Sequence, residues 1–175
     1  MTFAPSSPAS RAPVSRPGRG VALRNAAIAG LSVVATSTIG GLATGPKILG
    51  WYAALAKPWY NPPNWVFGPA WTLLFLLMAI AFWRILQTPA GTPWRTLAIV
   101  LFGVQLVLNA LWSVLFFGME SPALALAEVG PFWLAILATL VVFARIDRIA
   151  GWLFVPYLAW VAFAAVLNYG VWSLN

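Results

Sequence analysis

The chain has 175 residues, of which 62% are hydrophobic and only 7% are charged. Soluble domains carry about 25% charged residues, so this chain lacks the charge needed to cover a soluble globule. It contains no cysteine and no histidine, which excludes disulfides, zinc–thiolate sites and the commonest general base. The formal charge of +7 lies mostly at chain ends and in loops, which favours membrane topology over nucleic-acid binding.

The N-terminal segment, residues 1–20, is rich in Pro, Ser, Ala and Gly and shows no apolar periodicity. Such a composition buries too little apolar surface to fold, so the segment is predicted to be a disordered tail. Residues 21–175 are predicted to form one transmembrane domain. A helix needs about 20 mostly apolar residues to cross a bilayer. Five segments meet this requirement: 22–44, 65–87, 96–118, 122–144 and 149–172. The expected fold class is therefore an all-α integral membrane protein, a five-transmembrane-helix bundle.

The distribution of Lys and Arg predicts the orientation of this bundle. Eight of these residues fall on the N-terminal side, and only Lys47 and Lys57 fall on the other side. Because cytoplasmic loops carry an excess of Lys and Arg, the N-terminus is predicted to be cytoplasmic. The C-terminus and the long connection 45–64 are then outside, provided that the protein lies in a plasma (inner) membrane.

Small residues recur at four-residue spacing in the first span: Ala22, Ala26 and Gly30, then Ser37, Gly41 and Gly45. Small residues at this spacing allow helix backbones to approach closely. The partner is either another span of the same chain, which is the favoured interpretation, or another protomer.

Polar side chains inside the spans are the first candidates for a site. Gln105, Asn109 and Ser113 share one face of the third span, Glu128 lies in the fourth span, and Asn168 lies in the fifth. Polar groups are costly in hydrocarbon and usually face the bundle interior. Each of these side chains either forms hydrogen bonds with a neighbouring helix or belongs to a binding site. For Glu128 a third interpretation is that its carboxyl group reaches the lipid headgroups.

Aromatic stripes follow the second and fifth spans. The second span carries Phe67, Trp71 and Phe75; the fifth carries Tyr157 and Trp160 and continues with Ala164 and Asn168. Such stripes more often serve packing than ligand binding. Here the aromatic residues lie at the same depth in the membrane as the polar residues, beneath the long connection 45–64. Aromatic faces with a few polar groups suit a large, flat, mostly apolar ligand.

The connection 45–64 contains four prolines and several aromatic residues. Proline fixes φ and aromatic side chains favour the membrane interface, so this segment is predicted to be a rigid lid. Trp51 to Ala56 is predicted to form a short interfacial helix. Tyr52 is the candidate that reaches down to a ligand, with anchoring at the interface as the alternative.

Several motifs resemble those of the TspO/translocator protein family, also called tryptophan-rich sensory proteins or peripheral benzodiazepine receptors. The motifs in chain order are Trp51-Tyr52-Ala53-Ala54-Leu55-Ala56-Lys57-Pro58, the run from Pro62 to Trp71, the run from Gln105 to Asn109 with Trp112, and Pro156-Tyr157-Leu158-Ala159-Trp160 with Leu167-Asn168-Tyr169.

The resemblance implies a five-helix bundle, commonly a homodimer, with a pocket closed by the first loop. It implies binding of porphyrins and haem, of isoquinoline and benzodiazepine-type ligands and, in some members, of sterols. Tyr169 is not followed by the Lys or Arg of the sterol-recognition pattern, which lowers the expectation of sterol binding. Combined with the residue analysis, the predicted ligand-binding set is Tyr52, Trp71, Phe75, Gln105, Asn109, Trp112, Glu128, Tyr157, Trp160, Ala164 and Asn168.

The leading functional expectation is a membrane tetrapyrrole-binding translocator or sensor that requires no cofactor and no metal and does not bind nucleic acid. The alternative is light- and oxygen-dependent porphyrin degradation, for which the resemblance implicates Trp71 and Trp160. A third possibility is a secondary transporter. Such a protein is expected to carry intramembrane charges or an inverted repeat, whereas the spans offer only Glu128.

Overall fold

A computed structural model describes residues 18–175 of the chain. Of the predicted tail, residues 1–17 lie outside the described residues, and Arg19 and Gly20 already belong to the first helix. All regular structure between residues 18 and 175 is helical. The predicted all-α fold class is therefore confirmed.

Five helical segments are long and apolar enough to cross a membrane: Arg19–Lys47, Asn64–Leu86, Arg95–Gly118, Pro122–Ile146 and Arg148–Leu174. Their limits differ from the predicted spans by at most three residues. The predicted count and order of the spans are therefore confirmed.

The individual α-helices are α1 (Arg19–Thr44), α2 (Trp51–Ala54), α3 (Phe67–Leu86), α4 (Arg95–Ser113), α5 (Pro122–Ile146), α6 (Arg148–Trp152) and α7 (Val155–Leu174). Helix α2 confirms the short helix predicted between the first two spans. The fifth span is divided because Pro156 lies in the first turn of α7, where its missing N–H needs no partner.

The helices of the five spans pack side by side in the bundle. Helix α1 packs on α3 and α4, α5 packs on α4 and α7, and α6 packs on α3 and α5. Phe102 of α4 stacks on Phe82 of α3 at a centroid distance of 3.9 Å and contacts Phe143 and Phe154. These four rings fill the end of the bundle at which α3 ends and α4 begins. The opposite end of the bundle, where α3 begins, lies next to the lid.

Polar contacts lock the aromatic-filled end. Nδ2 of Asn25 in α1 donates to the carbonyl of Leu86 at 2.9 Å and to Oε1 of Gln87 at 2.8 Å. Arg84 forms an ion pair of 2.7 Å with Asp147, which also caps α6. The helices α1, α3 and α6 are therefore tied together at this end of the bundle.

Helix α1 packs through a different face from the one predicted. Its buried residues are Asn25, Ala29, Val33 and Thr36. A Cβ added to Gly30 or Gly41 would meet no atom within 4 Å, whereas a Cβ on Gly40 would lie 3.2 Å from Oγ of Ser113. The favoured interpretation of the repeat as within-chain packing is therefore wrong at Gly30 and Gly41, because the face of α1 that packs is the neighbouring one, which carries Asn25.

Candidate ligand-binding cavity

A cavity of about 610 Å³ lies between α1, α3, α4 and α7, next to the lid. The lid is the segment of residues 45–64. This volume falls inside the range of roughly 300–1,000 Å³ that is typical of small-molecule sites. Helices α1 and α3 are hydrogen-bonded to each other at the opposite end of the bundle, so their ends beside the lid can stand apart around the cavity.

Aromatic rings form the wall on the α3 and α7 side. Trp71 lies 5.6 Å from Phe75 in a tilted arrangement, and Phe67 meets Trp160 edge to face at 6.0 Å. Trp71 also contacts the ring of Tyr157 at 6.2 Å. The indole of Trp71 is thereby held between its own helix and α7 while it lines the cavity. An indole in a cavity wall can contact a flat ligand through its face or its edge.

A second aromatic wall comes from the end of α4. Trp112 stacks on Phe116 with a centroid distance of 5.1 Å and an interplanar angle of 18°. Phe116 and Phe117 follow in a single π turn, Val114–Gly118. The indole N–H of Trp112 is buried and has no hydrogen-bond partner in the described part of the chain. Buried donors of this kind are uncommon, and this one belongs to a residue that lines the cavity.

The polar floor of the cavity is one hydrogen-bond chain. Nδ2 of Asn109 donates to the hydroxyl of Tyr157 at 2.8 Å, and that hydroxyl donates to Oε1 of Gln105 at 3.0 Å. Gln105 and Tyr157 are fully buried, and only Asn109 lines the cavity. The amide of Asn109 is therefore held in a fixed orientation by residues that do not themselves line the cavity.

Helix α7 contributes Trp160, Ala164 and Asn168 at four-residue spacing, and all three line the cavity. Nδ2 of Asn168 donates to the carbonyl of Pro122 at 2.8 Å, which fixes α7 against the start of α5. Oδ1 of Asn168 is buried without a partner among residues 18–175. The small side chain of Ala164 in this wall leaves space for a ligand.

The lid contacts the cavity through Tyr52. Its side chain is buried, its hydroxyl donates to Oδ1 of Asn61 at 3.1 Å, and its ring packs on Phe117 at 5.5 Å. Burial raises the pKa of Tyr52 above 10.0, while the bond to Asn61 opposes part of that rise. The phenol therefore stays neutral near pH 7. The ammonium group of Lys57 lies 4.7 Å from the centroid of the Tyr52 ring.

Charged side chains are absent from the lining contributed by the described residues. Lys47 of the lid pairs instead with Glu120, in the turn between α4 and α5, at 2.7 Å. Residues 18–175 also contain no group of three or more Asp or Glu side chains that could hold a metal ion. Polar recognition in the cavity is therefore left to hydroxyls, amides and indole N–H groups.

The cavity brings together eight of the eleven predicted ligand-binding residues: Tyr52, Trp71, Phe75, Asn109, Trp112, Trp160, Ala164 and Asn168.

The other three, Gln105, Glu128 and Tyr157, are not part of the lining. Gln105 and Tyr157 lie behind Asn109. Glu128 belongs to α5, which contributes no lining residue among those described, because α5 packs behind α4 and α7. Both carboxyl oxygens of Glu128 are buried without a hydrogen-bond partner in the described chain. These three residues therefore lie behind the cavity lining, and their contact with a ligand stays a prediction.

Helix α1 contributes to the cavity although the predicted site has no residue from it. Five of its residues line the cavity: Thr36, Ser37, Gly40, Gly41 and Thr44. Ser37 and Gly41 belong to the repeat of small residues that was interpreted as a packing signal. Small residues on a helix leave space that either a neighbouring helix or a ligand can fill, and sequence spacing does not distinguish the two. The direct connection of this stretch to the lid is the signal that points to the second case.

Comparison with known proteins identifies relatives in bacteria and animals. The chain is 44% identical over 135 residues to the tryptophan-rich protein TspO of Chlorobaculum tepidum, covering 74% of this chain and 83% of that protein. It is 45% identical over 125 residues to the tryptophan-rich sensory protein of Cereibacter sphaeroides, covering 71% and 77%. It is 38% identical over 128 residues to the translocator protein of Homo sapiens, covering 73% and 76%.

These alignments agree with a sequence model of one family. The model of the TspO/MBR family matches residues 28–173, a range that includes all eight predicted residues found in the cavity. The five membrane-spanning helices, the cavity and its lid all lie within the same range or at its edges. The chain therefore belongs to the TspO/MBR family and is a multi-pass helical membrane protein.

Proposed function

We propose that this protein binds a tetrapyrrole, a porphyrin or haem, in the cavity beneath the lid and acts as a sensor or translocator for it. The observation that carries the proposal is the composition of the cavity. Its walls are aromatic rings from α3, α4 and α7, and no charged side chain of the described residues lines it. A flat, largely apolar macrocycle has the shape and the polarity that such walls accommodate.

The resemblance noted from the sequence supports the same ligand class. Family members bind porphyrins, and the positions that match their pocket, among them Tyr52, Trp71 and Asn109, line one cavity here. Isoquinoline and benzodiazepine-type compounds are smaller aromatic ligands and fit the same walls. A sterol is a weaker candidate, because a basic residue does not follow Tyr169.

The proposal is tested by titrating purified protein with protoporphyrin and following tryptophan fluorescence. Four tryptophans line the cavity: Trp65, Trp71, Trp112 and Trp160. A bound porphyrin should quench them in a saturable manner, and an excess of an isoquinoline ligand should reverse the quenching. Quenching that rises linearly without saturation would mean partition into detergent or lipid and would remove the proposal.

Light-dependent porphyrin degradation is a second candidate function, favoured by one observation. Trp71 and Trp160, the positions implicated in some relatives, line the same cavity. An indole beside an excited porphyrin can donate an electron or quench reactive oxygen and needs neither histidine nor metal. Loss of porphyrin absorbance in light but not in darkness, and only with oxygen present, would establish the activity.

We also propose that the N-terminus is cytoplasmic and that the protein assembles as a homodimer in the membrane. The end of the bundle opposite the lid carries Arg24, Arg84, Arg95, Arg145 and Arg148, in keeping with the positive-inside rule. Because the chain contains no cysteine, a single cysteine at Trp59 or at Ala90 reports orientation through a membrane-impermeant maleimide. Labelling at position 90 but not at position 59 in intact cells would contradict the proposed orientation and place the N-terminus outside.

A further inference from the structure

The lid is seated on the last turns of α7 at a position that requires glycine. A Cβ added to Gly170 would lie 2.5 Å from the hydroxyl oxygen of Tyr60 and 2.9 Å from Cγ of Pro58. Atoms this close must move apart, and the ring of Pro58 has little freedom to do so. The hydroxyl of Tyr60 also donates to the carbonyl of Val166 at 3.4 Å. The missing side chain of Gly170 therefore makes the space in which the lid rests.

A second contact fixes the lid beside that space. Oδ1 of Asn175 accepts from the backbone N–H of Ala56 at 3.0 Å, and its Nδ2 donates to the carbonyl of Ala56 at 3.0 Å. Nδ2 also donates to the carbonyl of Val171 at 2.7 Å, which holds the amide against its own helix. One side-chain amide thus pairs with both backbone groups of a lid residue.

The two contacts act on the same rigid element that forms the cavity wall. Helix α7 carries Trp160, Ala164 and Asn168 in the wall and continues without a break to Gly170 and its neighbours. On the other side of the lid the ion pair of Lys47 with Glu120 has both side chains more than a third exposed, and exposed pairs of this kind contribute little stability. The bonds between Asn175 and Ala56 are likewise exposed, so the buried attachment of the lid is the contact of Pro58 and Tyr60 with Gly170 of α7.

We propose that Gly170 and Asn175 form a latch that holds the lid closed and thereby sets the rate at which a bound ligand leaves. Tyr52 belongs to the lid and lines the cavity, so release past the lid requires the contacts at Ala56 and Pro58 to separate first. The part of this inference that concerns release depends on the proposed tetrapyrrole function. The part that concerns lid opening does not.

Two variants test the latch by different means. Gly170→Ala adds an atom where the lid rests, and Asn175→Ala removes three hydrogen bonds without adding any atom. The matched controls are Gly30→Ala, whose Cβ meets no atom within 4 Å, and Tyr169→Phe, at a residue 56% exposed in α7. Amide hydrogen exchange of residues 45–63 measures lid opening, and stopped-flow displacement of protoporphyrin measures release.

Both latch variants should raise the exchange rate of the lid amides and the porphyrin dissociation rate by about threefold to tenfold, the range expected from losing one or two net hydrogen bonds. Both controls should match the wild type. Asn175→Ala decides the question if Gly170→Ala does not fold, because it leaves the helix interior unchanged. Lid exchange at the wild-type rate in both folded variants, or in Asn175→Ala alone where Gly170→Ala fails, would overturn the latch.

Failure of the latch and failure of the proposed function give different results. A wild-type protein that binds no protoporphyrin would remove the proposed function, while the exchange comparison would still decide whether the latch exists. Faster lid exchange together with an unchanged porphyrin dissociation rate would overturn the link between the latch and ligand release, since the ligand would then leave by a route that does not pass the lid.

Discussion

The hydroxyl of Tyr157 in α7 lies 2.8 Å from Nδ2 of Asn109 in α4 and accepts its hydrogen bond. The same hydroxyl donates to Gln105, one turn earlier in α4. Since only Asn109 of the three lines the cavity, the phenol determines which way the cavity amide points. A residue outside the cavity thus holds one of the polar side chains that line it.

Replacing Tyr157 by Phe should lower the free energy of unfolding by about 1–3 kcal/mol, because a buried donor and a buried acceptor lose their partner. Chemical or thermal unfolding in detergent measures the change. Tyr169→Phe is the control, because Tyr169 is 56% exposed on the same helix. Equal losses in the two variants would show that the hydroxyl of Tyr157 contributes nothing specific.

Trp71→Ala should weaken protoporphyrin binding by about 1–3 kcal/mol, the range for loss of one stacking aromatic. Trp71 is held by Phe75 and Tyr157 while it lines the cavity. Fluorescence titration measures the affinity, and Trp152→Ala, at a residue 71% exposed in α6, controls for loss of an indole elsewhere. Wild-type affinity in folded Trp71→Ala would assign this ring to packing alone.

Ala164→Leu should reduce ligand affinity, the melting temperature or both, since overpacking typically costs about 1–3 kcal/mol. Ala164 lines the cavity between Trp160 and Asn168, and the larger side chain occupies space that a ligand needs. Ala162→Leu is the matched control, because Ala162 is exposed on the same helix. Wild-type binding and melting in Ala164→Leu would exclude this position from the site.

The sequence predicts the helices well because each span is a long apolar segment, and its limits are imposed by the thickness of the bilayer. A uniformly apolar span, however, does not indicate which face of the helix points into the bundle. Polar residues restore that information in α4 and α7, where Asn109 and Asn168 face the interior as expected. In α1 the spacing of small residues is ambiguous, and the decisive contact, Asn25 to the end of α3, joins residues far apart in the chain.

Glu128 shows a second limit of sequence reasoning. Its depth in the fourth span is similar to that of the cavity, yet depth does not indicate which helices lie between Glu128 and the cavity. Helix α5 is separated from the cavity by α4 and α7, so a carboxyl at the correct depth lies behind the wall. The latch residue Gly170 is equally inaccessible to sequence reasoning, because its role follows from Pro58 and Tyr60, more than a hundred residues earlier.

Haem and metal-free protoporphyrin should bind with similar affinity. The chain contains no histidine or cysteine, and no methionine of the described residues lines the cavity, so the usual axial ligands of haem iron are missing. The phenol of Tyr52 is neutral because burial raises its pKa, which disfavours ligation by a phenolate. Parallel titrations with haem and protoporphyrin test this expectation, and a haem affinity more than about tenfold higher would reveal an iron ligand.

Pro62 and Pro63 should slow ligand release by ordering the lid before it closes. Tyr52 lines the cavity and is held by Asn61, whose own Nδ2 donates to the carbonyl of Pro62 at 2.9 Å. Pro62 and Pro63 restrict the backbone of the open lid, so replacing both by Gly should make closure less favourable by about 0.4–1 kcal/mol per residue. Tyr52→Ala removes a ligand contact as well as the bond to Asn61. Both variants should release porphyrin faster than wild type.

Both variants should have a higher dissociation rate than the wild type, because a lid acts mainly on the escape of the ligand. Stopped-flow displacement of porphyrin from detergent-solubilised protein measures that rate. Tyr52→Phe separates the two roles of the tyrosine, since it keeps the ring against Phe117 and loses only the hydrogen bond to Asn61. Its dissociation rate should fall between those of wild type and Tyr52→Ala. Wild-type dissociation from both Tyr52→Ala and the glycine variant would mean that residues 45–64 cover the cavity without retaining what it binds.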